Sequence, residues 1–210
     1  MTVEIAASAV VHESVIFEGS ATVEAWCIVG APSVGNDTPP TTVIGDGAVL
    51  RSHTVVYAGS VIGKNFVTGN KANIREACCI GDNVSVGTMA VVEHHVSLGH
   101  GVRLHSQSFV PEYCVLEDGV WLGPNAVLTN TRYPLSPEAT TSPTPVRLCQ
   151  GAIVGANATI LPGVVVGRDS LVGAGSVVVE DVAEGTVVAG NPARFINEKA
   201  ALPYGDREPS

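Results

Sequence analysis

The stretch Ile80-Gly-Asp-Asn-Val-Ser-Val86-Gly-Thr-Met-Ala-Val-Val92-Glu-His-His-Val-Ser-Leu98-Gly99 decides the fold, because an aliphatic residue returns at every sixth position. A second column, small or aliphatic, follows each of these by four places: Val84, Ala90 and Val96. Extended outward, the first column runs Ile44, Leu50, Val56, Ile62, Thr68, Ile74 and so on to Leu128, and 14 of its 15 members are aliphatic. The frame resumes from Leu148 to Val178 and is read earlier at Val10, Ile16, Ile28 and Val34. A six-residue unit is too short to bury anything alone, so units must stack, with strands about 4.8 Å apart. Three units per coil give an 18-residue turn and an all-β, parallel β-helix with a triangular section and the aliphatic columns inside. Two loops break the frame, 36–42 and 130–147. The second is rich in Pro, Ser and Thr and must project from the coil. The chain therefore reads as one β-helix domain, 1–195, and a tail, 196–210, in which residues 197–201 can form a short helix.

Composition agrees with this reading. The 210 residues are 45% hydrophobic but only 5% aromatic and 15% charged, with 23 Gly and 13 Pro. That is too apolar for disorder and lacks the 3.6-residue pattern of a helical bundle. A net charge of −9 with only 11 Lys and Arg excludes a field for nucleic-acid phosphates. The beginning, Met1-Thr-Val-Glu-Ile5, lacks a signal-peptide pattern, and no run of about 18 apolar residues occurs, so no membrane partner and a cytoplasmic location are expected. Five cysteines without metal-type spacing read as free thiols, with Cys78 and Cys114 inward and Cys27, Cys79 and Cys149 outward.

The frame sends all six histidines, His12, His53, His94, His95, His100 and His105, to the outside of the prism. Residues 18 apart stack, so His94 lies between Glu76 and Glu112, and His100 between Asp82 and Asp118. A carboxylate beside an imidazole suits a general base near neutral pH. Simple surface pairing is the other reading of the same columns.

The aliphatic-Gly-x-x-small-x pattern resembles the hexapeptide-repeat transferases, which implies a left-handed coil and a homotrimer. The run from Ile80 to Gly99 resembles the segment that holds the catalytic histidine of the UDP-N-acetylglucosamine O-acyltransferases, which implies His94 as base, with Glu76 beside it. Leu116-Glu-Asp-Gly-Val-Trp-Leu-Gly-Pro-Asn125, Gly151-Ala-Ile-Val-Gly-Ala-Asn-Ala-Thr-Ile-Leu-Pro-Gly163 and Gly190-Asn-Pro-Ala-Arg194 resemble the nucleotide-sugar N-acetyltransferases. That resemblance implies acetyl-CoA or another acyl-CoA as co-substrate, an amino-sugar or nucleotide-sugar acceptor, and no metal. Small turn residues, Gly155, Ala156, Gly173 and Ala174, are expected to admit the pantetheine arm, and Arg168 and Arg194 its phosphates. His105 and Asn130 are second choices for positioning, while His53, Asn73 and Arg75 are expected to line the acceptor.

Two other readings stand beside this one. Gly99-His100-Gly-Val-Arg-Leu-His105 has the Gly-His-x4-His spacing of γ-class carbonic anhydrases, which would make His100 and His105 zinc ligands. A non-catalytic β-helix binding protein is the second.

Overall fold

The computed structural model describes residues 2–33, 39–137 and 143–203. Met1, the frame position Val34, the start of the first loop, the middle of the second and the last seven positions of the tail lie outside them. The chain winds as a β-solenoid with three faces: a first sheet of eleven strands, a second of nine and a third of eight. Between residues 42 and 128 the pairing is parallel and offset by one coil, as in Val67 with Ser85, Asn73 with Val91 and Cys79 with Ser97. The predicted inward columns form the core, with Ile44, Leu50, Ile74, Leu116, Leu128, Leu148 and Ile160 fully buried. Thr68, the exception in the aliphatic column, meets Thr54 hydroxyl to hydroxyl at 2.8 Å and accepts a hydrogen bond from the Arg51 backbone N–H. The pair satisfies what would otherwise be buried unbonded oxygens.

From Ile44 to Leu122 the corners are closed by a residue in the left-handed region three places after the inward column residue, including Asn83, Met89 and His95 at φ near +58°. At the place immediately after the aliphatic, glycine has a different cause. A Cβ at Gly87 would lie 2.5 Å from the His105 carbonyl carbon, and one at Gly155 2.5 Å from the Ala174 nitrogen, so the next coil fills that space.

The early frame is corrected by one position. Val10 and Ile16 are 52% and 53% exposed, and Ile28 is also outward, while Val29 and Val23 are buried. Val10/Val11, Ile16/Phe17 and Ile28/Val29 are all apolar pairs, so the period alone does not choose between neighbours. The cross-coil pairing of Val29 with Val56 and of Phe17 with Ile44 does. The same shift turns Cys27 inward and buries it, against the outward position expected.

The first loop adds nine residues to a coil, since Val15 pairs with Thr42, and the second adds fourteen, since Val115 pairs with Arg147. Near the end, Thr186–Gly190 joins the first face and Ala193–Glu198 folds back antiparallel against it. The short helix expected over 197–201 is replaced by this strand and one 3-10 turn, Lys199–Ala201. Backbone pairing to the solenoid's open edge outcompetes a helix of a single turn.

Candidate active site

The three edges of the prism carry different chemistry. Where the chain leaves the second face for the third, successive coils bring Tyr57, Arg75 and Glu93 into one column, Glu76, His94, Glu112 and Asn130 into a second, and His95 and Tyr113 into a third. On this edge, from Val56 to Leu128, the place after the inward aliphatic is not glycine: Tyr57, Arg75, Glu93, Pro111 and Thr129 occupy it. The projecting loop leaves from the same edge, after the strand Val127–Leu128.

His94 is half-buried. Its Nδ1 lies 2.9 Å from Nδ1 of His95, and the two rings stand nearly perpendicular, at 88°. Tyr113 packs against both, with centroid separations of 5.3 Å. Glu76 is not the hydrogen-bond partner of His94. Both its oxygens accept from Arg75, at 2.8 and 3.0 Å, and Arg75 also donates to Glu93 at 3.2 Å while its guanidinium sits 5.1 Å over the Tyr57 ring. The Arg75 hydrogen bonds hold the Glu76 carboxyl below its ordinary range against the opposing effect of burial, with a smaller contribution from His94. Arg75, expected to meet the acceptor, is thus engaged by two carboxylates. Asn130 is 8% exposed; its Oδ1 accepts from the Thr131 hydroxyl, while its Nδ2 is buried without a hydrogen-bond partner. Asn73 lies on the second face, on the strand that leads into this edge, its Oδ1 also buried and unpaired.

The other expected residues fall elsewhere. His53 and His105 are on the edge between the first and second faces, where His53 stacks with Trp26 and His105 lies 4.4 Å from the Trp121 ring. Burial, with a smaller effect from Arg103, lowers the pKa of His105. Gly155, Ala156, Gly173 and Ala174 stack above His105 on this edge, and Arg194 pairs with Ala189, which covers Gly173. The missing side chains at Gly155 and Gly173 face the next coil, so stacking alone accounts for these glycines. Arg168 is on the remaining edge, where it donates to the Gln150 side chain.

His100 shares that remaining edge. Its Nδ1 accepts the Asp82 backbone N–H at 3.0 Å, which separates it from His105 by a strand and a corner. Among the described residues no three His, Cys, Asp or Glu side chains group as a metal site. Burial pushes the Cys78 and Cys114 thiols up to about 11 and about 12, which leaves them unsuited as nucleophiles.

The sequence reading named His95 only as one of six outward histidines and missed Tyr113, Tyr57 and Glu93. The signal was present: each lies 18 positions from, or beside, a residue already singled out, and Tyr57 and Glu93 stand where glycine is frequent on the other edges.

The chain is a β-solenoid built on a six-residue repeat. Within it, residues 145–179 match the family described as bacterial transferase hexapeptide (six repeats). The 2,3,4,5-tetrahydropyridine-2,6-dicarboxylate N-acetyltransferase of Clostridium perfringens is 48% identical over 77 residues, 37% of this chain and 30% of that protein. The enzyme of the same name from Staphylococcus aureus is 41% identical over 83 residues, 40% of this chain and 32% of its own. The matched segment thus spans about a third of the length of these curated relatives. Among solved structures, the acetyltransferase domain of PglB from Neisseria gonorrhoeae, in complex with acetyl coenzyme A, is 26% identical with a TM-score of 0.46, covering 69% of this chain and 55% of that one.

Proposed function

We propose that this chain is an acyl-CoA-dependent N-acyltransferase that moves an acetyl or other short acyl group to the amino group of a sugar or nucleotide-sugar, with His94 as general base. The half-buried imidazole of His94, hydrogen-bonded on one nitrogen and set among the charged and aromatic side chains of its edge, carries the reading. Two relatives named as N-acetyltransferases support the reaction class. In the step, the acceptor nitrogen forms a bond to the thioester carbonyl carbon and the C–S bond breaks. The proton shed by nitrogen passes to His94 and on to the departing thiolate. Glu76, Glu93 and Glu112 outnumber Arg75 on this edge, which suits an acceptor that arrives as an ammonium and loses one proton to solvent before its amine attacks. The relatives' named dicarboxylate favours a second acceptor class, but its charge would meet these carboxylates.

The glycine-lined edge and the His94 edge lie on opposite sides of the second face. A homotrimer would let the pantetheine arm lie along one chain's glycine edge while the neighbour supplies His94, with Arg194 near the CoA phosphates. The outward second face, with Val55, Val91, Phe109 and Val127, supports such packing. Five free cysteines suit a cytoplasmic site of action, and among the described residues no helix is long and apolar enough to cross a membrane.

The test is release of CoA thiol from acetyl-CoA in the presence of a panel of amino-sugar nucleotides, amino sugars and amino-dicarboxylates. His94→Ala is expected to lower kcat/KM by about 10²–10⁴-fold, the usual contribution of a positioned base. Unchanged turnover would remove His94 from the mechanism.

A further inference from the structure

His95 occupies the corner position that fixes its backbone at φ +57°, and this turns its ring onto His94 rather than outward along the coil. The 2.9 Å Nδ1 to Nδ1 separation requires one ring to donate and the other to accept. If His95 were the donor, the neutral His94 would carry its proton on Nε2 and have no lone pair to offer an acceptor. If His94 donates, its Nε2 is left basic, and the same N–H···N bond persists and strengthens when Nε2 gains a proton, because the donor is then an imidazolium. Tyr113 holds the arrangement, standing at 85° to His94 and at 31° to His95. Glu76, the carboxylate nearest in the stack, is already taken by Arg75 and leaves this task to His95.

We propose that His95 is a positioning residue that fixes His94 as the Nδ1–H tautomer, so that a histidine pair does here what a carboxylate–histidine pair does for other general bases. The proposal rests on the reading of His94 as base, but its structural part is measurable without substrate.

Two substitutions suit the left-handed backbone at this position. His95→Gly removes the ring without strain. His95→Asn keeps an acceptor, Oδ1, at the place of Nδ1, and Asn tolerates this conformation. Long-range ¹H–¹⁵N spectra of ¹⁵N-histidine-labelled protein read the tautomer directly. In the unsubstituted protein, His94 is expected to show a protonated Nδ1 and an unprotonated Nε2. His95→Gly is expected to shift it to a mixture or to the Nε2–H form, and His95→Asn to retain it. With the active acceptor, His95→Gly is expected to lose about 10–100-fold in kcat/KM, mostly in kcat, and His95→Asn to recover most of it. A His94 already protonated on Nε2 in the unsubstituted protein, or a tautomer unmoved by His95→Gly, overturns the proposal even if His94→Ala is inactive. A shift in tautomer with His94→Ala fully active would instead sustain the pair and overturn the base assignment alone.

Discussion

At the scale of single residues, the acid side chains of the edges define how the molecule responds to pH. Arg147 and the Gln150 backbone N–H hold the Glu117 carboxyl below its ordinary range, hydrogen bonds from Ser20 do the same for Asp46, and Arg75 does so for Glu76. A carboxyl lowered by folding stabilises the native state above its unfolded pKa, and that stability is lost as pH falls through the lowered value. The melting temperature is therefore expected to be level from neutral pH to about 5 and to fall below about pH 4, where unperturbed carboxylates take up protons. Glu117→Gln should flatten that fall measurably while costing less than about 1 kcal/mol at pH 7, because Arg147 is largely exposed. Thermal scans from pH 3 to 7 check this, and an identical acid slope in Glu117→Gln would contradict it. The sequence could place Glu76 beside His94 by counting, but it could not show that Arg75 would take both Glu76 oxygens. Competition among neighbours within hydrogen-bond reach is decided by side-chain geometry, which an 18-residue period does not contain.

At the scale of the coil, two glycine requirements operate. Asn83, Met89 and His95 show that the left-handed corner accepts several residue types, so glycine there is optional. Immediately after the inward aliphatic, the constraint is contact with the coil above. Gly87→Ala and Gly155→Ala are each expected to destabilise by about 1–3 kcal/mol, the range for forcing atoms into packed space. Gly101→Ala meets no neighbour within 4 Å and suffers only the strain of φ +66°. Urea midpoints of the three variants check this, and equal losses at Gly87 and Gly101 would mean that the contact is relieved by a small shift of the coil. The aliphatic columns from Ile44 to Leu128 and from Leu148 to Val178 were legible in the sequence because several coils carry a polar residue just before the aliphatic (Asn73, Ser85, Ser97, Arg103, Arg147, Thr159) and many a glycine just after it, which fixes the frame for the rest. They were misread between Val10 and Ile28 because adjacent apolar residues leave two frames open, and pairing to the next coil chooses between them. The terminal strand Ala193–Glu198 was read partly as helix because its partner, Thr186–Gly190, is reached only after the repeat has ended.

At the scale of the whole molecule, the solenoid separates its chemistry. His94, His95, Tyr113 and Asn130 share one edge, the column of His105, Gly155 and Gly173 another, and one face of the prism lies between them. A single chain cannot close a groove over both, whereas two chains meeting at that face can. The outward positions of the second face favour such a contact: Val55, Asn73, Val91, Phe109, Val127, Thr159 and Val177 form one cross-coil row that is mostly apolar. If this row is the subunit contact, the protein sediments as three chains at micromolar concentration. Phe109→Glu, which places a charge where the row is widest and cannot be paired cheaply, should then sediment as one chain with an unchanged β-sheet circular dichroism spectrum. Because the proposed site draws its two halves from neighbouring chains, the same variant should lose acyl transfer while its His94 tautomer remains that of the unsubstituted protein. Sedimentation of the unsubstituted protein as a single chain would refute the shared site. A Phe109→Glu trimer would move the contact to another face. In that case the glycine edge and His94 would have to be brought together without the second face between them.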